Sequence, residues 1–541
     1  MTRTEKWGLA ALLTWAVVLF TCGINWGLPS EYGWAGDELH PTSWGPALDP
    51  KTPNGWHARY PPLHFALLQA LSWPLCAAAR HGAVATDPDR LTVELIYLSR
   101  GVSLLMALAT LVLLYRAARE VGDHRSALWA VFIAASVAPY VYYAKMGNLD
   151  VPYVMWFTLS LWMFLRILQR HRLRDYVVFA AAAAAAVCTK DQAYGLYTLA
   201  PIPILISLWR QDYGGDPHRL WRALLDKRLL IAAATAAVLF AIFQELLFDP
   251  QRFSIHLRLL RGPMSENYQD YANTFSGQVQ LLRTFFGLLG FALNPVLGLA
   301  CLLGLLWAFM RHRQESAGDA AARRLLRATL IVPLSYYFTF LVLILFCYDR
   351  YVLPIAIVLA LFGGRALGEL TRPEDRFRAA RLAAAAVVAL YSMLYAASVD
   401  FRLLADSRYG VEKWIAAHAK DPDSVVAVGR RKHIARFDWV RWDQVLRTDG
   451  KILTQVIEPE YIAIDLTDLR DEEEANMIDR LSSGKMGYRL ALRYQGKPLL
   501  NLLPETDLGT TQRFINPEMA VFERLTAAPP ANPAQPAPPP H

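Results

Sequence analysis

Apolar residues fall into long blocks along this chain instead of alternating with polar ones. The blocks cover residues 8–27, 95–115, 127–144, 153–168, 176–189, 193–208, 229–247, 284–309, 328–346, 351–368 and 382–398. A helix rises about 1.5 Å per residue, so roughly 20 apolar residues cross the hydrocarbon of a bilayer. The pattern predicts a polytopic α-helical membrane protein with about 11 crossings. A shorter run, Leu63 to Ala79, follows a Pro-Pro pair. Beyond residue 400 the period changes. VVAVG (Val425–Gly429), EYIAIDL (Glu460–Leu466), YRLALRY (Tyr488–Tyr494) and MAVFERL (Met519–Leu525) read as strands, with helical patterns near Val411–Ala419 and Asp471–Leu481. The chain therefore divides into a membrane domain, 1–400, a small α/β domain, 401–527, and a Pro-rich tail, 528–541, that cannot build a core.

Composition agrees, and charge adds orientation. The chain has 541 residues, 54% of them hydrophobic, with 55 basic residues against 47 acidic ones and a net charge of +8. The basic residues do not form one patch, which argues against nucleic acid as a partner. They collect in short clusters between alternate apolar runs: Arg116, Arg119 and Arg125, then Arg166 to Arg174, Arg210 to Arg228, Arg311 to Arg327 and Arg365 to Arg381. Cytoplasmic loops carry such an excess, so the N-terminus is expected in the cytoplasm and the C-terminal domain outside it. That assignment requires Leu63–Ala79 to lie in the interface without crossing. The first run begins after Arg3 and Lys6 and lacks a following A-x-A site, so it reads as a retained anchor. The five cysteines show no CxxC spacing and suggest neither a disulfide framework nor a zinc site.

Polar residues recur at the outer ends of the spans. GDELHP brings Asp37, Glu38 and His40, and HARYPPLHF brings Arg59, Tyr60 and His64. KMGNLDVP brings Lys145, Asn148 and Asp150; CTKDQ brings Lys190 and Asp191; CYDRYVLP brings Asp349, Arg350 and Tyr351. Ionisable groups beside a bilayer are costly and mark function or specific pairing. A carboxylate near a hydroxyl can act as general base, and Arg or Lys can neutralise a departing phosphate. Together they suit transfer of a sugar from a lipid phosphate. Each also has an ordinary structural explanation: Asp37, Glu38 and Asp150 as helix caps, Lys190 and Arg350 as snorkelling anchors. There is no GxxxxGK[ST] or GxGxxG, hence no sign of a nucleotide site.

Taken together, GDELHP, YPPLHF, GNLDVP, the CTK turn and DRYVLP resemble the GT-C glycosyltransferases, most nearly the family 39 type that includes protein O-mannosyltransferases and lipid A aminoarabinose transferases. The likeness covers roughly residues 1–370. It implies a polyprenyl-phosphate sugar donor, a hydroxyl acceptor, inversion at the anomeric carbon and a periplasmic active face on a bacterial inner membrane. It makes Asp37 the base with Glu38 in support, and sets Asp150 near the acceptor. Lys190 and Arg350 match positions near the donor phosphate. Relatives often carry Lys immediately before the Pro-Pro pair, where this chain has Arg59 two positions earlier. His40, Tyr60, His64, Asn148, Asp191 and Tyr351 complete the expected substrate-binding set. The resemblance leaves a divalent cation, magnesium or manganese, open; Asp37, Glu38, His40 and Asp150 would hold it. The long outer segment Asp249–Arg283 reads either as a lid or as a solvated connector. Two rival classes stand beside the enzyme: a secondary transporter, disfavoured because the charges sit at span ends without an internal repeat, and a non-catalytic scaffold with an outer binding domain.

Overall fold

A computed structural model of the chain describes residues 2–30, 33–44, 59–82, 88–262, 269–310, 316–372, 377–419, 424–428, 435–436, 459–467, 472–505, 508 and 510–525. The Pro-rich tail and residues 263–268 of the long outer segment lie outside these. The structure separates into two compact units. One comprises Met1–Glu31, Asp37–Phe401 and Leu499–Thr511; the other comprises Tyr32–Gly36, Arg402–Pro498 and Gln512–His541.

The first unit is helical. Its principal helices are α1 (Arg3–Thr21), α2 (Leu63–Arg80), α3 (Pro88–Val121), α4 (His124–Ala135), α5 (Ala138–Tyr143), α6 (Asp150–Arg170) and α7 (Leu173–Thr189). There follow α8 (Pro201–Asp212), α9 (Lys227–Phe243), α10 (Pro250–Arg261), α11 (Phe275–Phe309), α12 (Ala317–Thr329), α13 (Leu353–Leu370) and α14 (Arg378–Leu404). Among the described residues six helical segments are long and apolar enough to cross a membrane: Arg90–Val121, Asp150–Arg170, Phe275–Phe309, Ala317–Ile344, Asp349–Leu370 and Arg378–His418. The other apolar runs form shorter or broken helices. The run at 127–144 divides into α4 and α5, where Pro139 in the first turn of α5 has no N–H to continue the ladder. Pro201 likewise opens α8 inside the run at 193–208. Within α11, Asn294 adopts φ 56° ahead of Pro295, and its Oδ1 accepts from the N–H groups of Val296 and Leu297 at 3.0 Å each, a cap built into the middle of a helix.

Helix packing is close. α13 lies against both α4 and α11, and α6 lies against α3 and α7. Gly304 of α11 touches the α13 backbone so closely that a Cβ would stand 2.0 Å from the Phe362 carbonyl oxygen. Small residues allow such approach where apolar burial alone gives helices no preference for one another over lipid. The alanine run Ala180–Ala186 serves α7 in the same way, most of it buried against its neighbours. Part of the long outer segment is itself helical, as α10, whose N-cap Asp249 accepts from the Arg252 N–H at 3.1 Å.

The second unit is an α/β sandwich. Strands β1 (Val425–Val428), β2 (Tyr461–Asp465), β3 (Tyr488–Tyr494) and β4 (Met519–Arg524) form one sheet in the order β1-β2-β4-β3. β1 and β2 run parallel, Val425 beside Tyr461, whereas β4 is antiparallel to both β2 and β3. Helix α15 (Ser407–His418) covers one face through Val411 and Ile415, and α16 (Glu472–Ser482) covers the other through Leu481. Burial on both faces explains why β1, and β2 as far as Ile464, carry no charged residue. Trp34 belongs to this unit, its ring 4.8 Å from Tyr409 with the Arg408 guanidinium 4.3 Å over it.

Candidate active site

The residues Asp37 to His40 are fastened by Glu38, not by Asp37. Glu38 receives both Nε and Nη2 of Arg100, each at 2.7 Å, and the N–H of Gly147 at 3.0 Å. Arg100, in the middle of an apolar stretch of α3, is 0% exposed. Its Nη1 donates to the carbonyls of Ile24 at 2.5 Å and Trp26 at 3.0 Å. A buried charge pair persists where the geometry is bidentate and the remaining donors are satisfied, as here. Leu39 N–H donates to the Gly147 carbonyl at 2.7 Å, so the loop lies along the turn before Asp150. That turn needs glycine: a Cβ on Gly147 would stand 2.1 Å from Ser99 Oγ. His40 is spent locally, capping the 3-10 turn Pro41–Ser43 through Thr42.

Asp37 is left as the reachable carboxylate. Its side chain is 44% exposed and accepts from Arg350 Nη1. Arg350 lies in the short turn Asp349–Val352, between Tyr348 at 5.1 Å and Tyr351 at 5.8 Å, and its buried Nε has no hydrogen-bond partner. The preceding residue, Asp349, is fully buried. It accepts from Tyr143 Oη at 3.3 Å, and from the N–H and Oγ1 of Thr511 at 3.0 and 2.7 Å.

A second pair forms nearby. Asp150 opens α6, its N–H held by Asn148 Oδ1 at 3.0 Å, and its carboxylate takes Lys190 Nζ at 2.5 Å. Lys190 ends α7 in extended backbone, 5.8 Å over the Tyr153 ring, and Gln192 donates to Tyr153 Oη at 2.6 Å. Asp191 instead turns to His256 of α10 at 2.9 Å. Asp150 is within electrostatic reach of Asp349 and Tyr351, the residues on either side of Arg350. Arg59 lies over the Tyr60 ring at 5.9 Å just before α2. His64, in the first turn of α2, is buried with no partner on Nε2, and that burial pushes its imidazole down to about 3, so it is neutral. Lys145 is drawn away into a buried pair with Asp400, with the Leu19 carbonyl 2.9 Å from its Nζ.

The sequence leaves open whether a divalent cation is held, and the residues that would hold one, Asp37, Glu38, His40 and Asp150, are not gathered into a three-ligand cluster. Among the described residues no three His, Cys, Asp or Glu side chains stand close enough to share a metal ion. Arg100 occupies Glu38, Lys190 occupies Asp150, and His40 caps its own turn. The donor set does not fit a metal. What remains is a carboxylate within reach of solvent paired with Arg350, whose guanidinium lies by the Tyr348 and Tyr351 rings. Such a set can take a proton and neutralise an anion in one place. Arg100, Tyr143, Gln192 and Thr511 were not among the expected residues. A charge inside an apolar run was the signal for Arg100; the others are polar residues of ordinary appearance far away in sequence.

Residues 96–243 match the family model of the dolichyl-phosphate-mannose-protein mannosyltransferases. The expected likeness to the family 39 type thus has a family-model match over residues 96–243. Among solved structures, the chain is similar to the Saccharomyces cerevisiae protein O-mannosyltransferase Pmt1-Pmt2 complex bound to the sugar donor, at 17% identity and a TM-score of 0.35. That match covers 47% of this chain and spans about a third, 34%, of the yeast chain. ArnT from Cupriavidus metallidurans bound to undecaprenyl phosphate is similar over 95% of this chain and 97% of its own, at 12% identity and a TM-score of 0.49. The oligosaccharyltransferase AglB from Archaeoglobus fulgidus, in complex with an inhibitory peptide and a dolichol-phosphate, covers 86% of this chain and 70% of its own, at 13% identity and a TM-score of 0.46. No curated protein sequence matches the chain.

Proposed function

We propose that this protein is an inverting glycosyltransferase that moves a sugar from a polyprenyl-phosphate donor to a hydroxyl acceptor at the periplasmic face of a bacterial inner membrane. The observation that carries this reading is the reachable Asp37 carboxylate paired with Arg350. The family match over residues 96–243 supports it.

The reaction is a single in-line displacement. Asp37 takes the proton of the acceptor hydroxyl as its oxygen forms a bond to the anomeric carbon. The bond from that carbon to the phosphate oxygen breaks on the opposite side, and its electron pair leaves with the lipid phosphate. Arg350 offers that phosphate a planar fork of donors, and Lys190 a point charge. Arg59 is a third cation for the same anion. Glu38 never meets substrate; clamped by Arg100, it fixes the loop from which Asp37 projects. Asp150, held by Lys190, borders the acceptor. Tyr348 and Tyr351 flank Arg350 and supply faces for sugar or lipid.

The purified full-length chain is to be incubated with a panel of undecaprenyl-phosphate sugars. One of them is expected to raise the unfolding temperature and to be consumed with release of undecaprenyl phosphate. If none is bound or consumed, and vesicles holding the protein instead accumulate a solute without any lipid-linked sugar, the transporter reading replaces this one.

A further inference from the structure

The segment Leu499–Thr511 lies in sequence between β3 and β4, yet it belongs to the helical unit. Leu502 N–H donates to Ser398 Oγ of α14 at 3.0 Å, and Leu508 packs where a Cβ on Gly287 of α11 would stand 2.8 Å away. The segment ends on Asp349, to which Thr511 donates through both its N–H and its Oγ1. Asp349 is fully buried, and a carboxylate so placed is tolerated only with its acceptor positions filled. Its remaining described partner is Tyr143, the last residue of α5, a few residues before Asp150. One carboxylate thus joins three places: the strap, the end of α5 and the turn that carries Arg350.

We propose that Thr511 is a positioning residue for Arg350, acting through Asp349, so that the strap sets how the site holds the donor phosphate. This rests on the glycosyltransferase reading for its kinetic consequence only. Arg350 touches the phosphate; Thr511 does not. Loosening Asp349 lets the Asp349–Val352 turn shift against Asp150, and displacements of about an ångström cost catalytic arrangements up to roughly 100-fold.

Two measurements on the full-length chain test this. In Thr511→Val the KM for the lipid-linked donor is expected to rise roughly 10- to 100-fold, with the acceptor KM unchanged and with Thr511→Ser close to wild type. Hydrogen exchange at residues 347–353 is expected to quicken in Thr511→Val and not in Thr511→Ser, whether or not donor or acceptor is present. Should Thr511→Val fail to fold, Tyr143→Phe removes a different donor to Asp349 and is expected to give the same pattern more weakly. Unchanged exchange at 347–353 overturns the proposal, as does a loss of activity that Thr511→Ser does not relieve. If the wild type consumes no polyprenyl-phosphate sugar, the functional reading fails, and exchange alone then decides the positioning role.

Discussion

Glu38 and Asp37 are neighbours in sequence with opposite fates. Glu38 and its partner Arg100 are shut away, 2% and 0% exposed at their side chains, with every guanidinium contact directed at a carboxylate or a carbonyl. Asp37 and its partner Arg350 are 44% and 15% exposed, and the second pair keeps a buried Nε unpartnered. The chemistry of the two pairs is the same; access differs. The Glu38–Arg100 pair is enclosed on every side, whereas the half-exposed Asp37 carboxylate can exchange its partner for a solute. The two carboxylates of this loop therefore differ in access, not in charge.

The largest effect expected from that contrast is kinetic. Asp37→Asn should lower transfer by about two to four orders of magnitude, the range for removing a positioned general base. Its unfolding temperature should stay near that of wild type, because the amide oxygen still accepts from Arg350. A variant of full activity in a lipid-linked sugar assay would remove Asp37 from the chemistry. Next comes stability. Arg100→Ala leaves Glu38 buried without its counter-charge and should destabilise the protein by about 3–5 kcal/mol, seen as a collapse of the thermal transition or of folded yield in detergent. A near-normal transition would mean that the clamp is not structural.

The smallest effect concerns pH. His64 is neutral and buried, its folded value depressed to about 3 against roughly 6.5 in the unfolded chain. The unfolded state therefore binds the proton more readily. Stability is full above about pH 6.5 and falls below it, by up to about 1.4 kcal/mol per unit, until the pH nears 3. Unfolding of wild type and His64→Leu between pH 7 and pH 5 should show a steeper loss in wild type; parallel curves would place His64 in water.

Much of this was readable from residue order alone, and what was not has a common cause. The apolar runs announced helices because the cost of a bare backbone in lipid leaves few other choices. Where the runs break, at Pro139, Pro201 and Asn294, the residue responsible is visible in the sequence, but whether a proline opens a new helix or merely bends one depends on its neighbours. Asp37, Asp150, Lys190 and Arg350 were visible as charges at the ends of runs. Their partners were harder to see. That Arg350 meets Asp37 across 313 residues, or that Arg100 meets Glu38 across 62, is fixed by packing of helices whose order in space no local pattern encodes. The same holds for Lys190, whose ordinary explanation as a membrane-surface anchor fails only because Asp150 stands 2.5 Å away. For a related reason the acidic residues Asp37, Glu38 and Asp150 are each matched by a cation arriving from elsewhere in the sequence.

Thr511 reaches Asp349 from 162 residues downstream. During synthesis the ribosome must therefore complete the last membrane-spanning helix and most of the following sheet before that carboxylate receives its two shortest hydrogen bonds. A nascent chain stalled anywhere in between carries Arg350 on an unfinished turn, so that turn is completed late, after the helices that surround it have already been inserted.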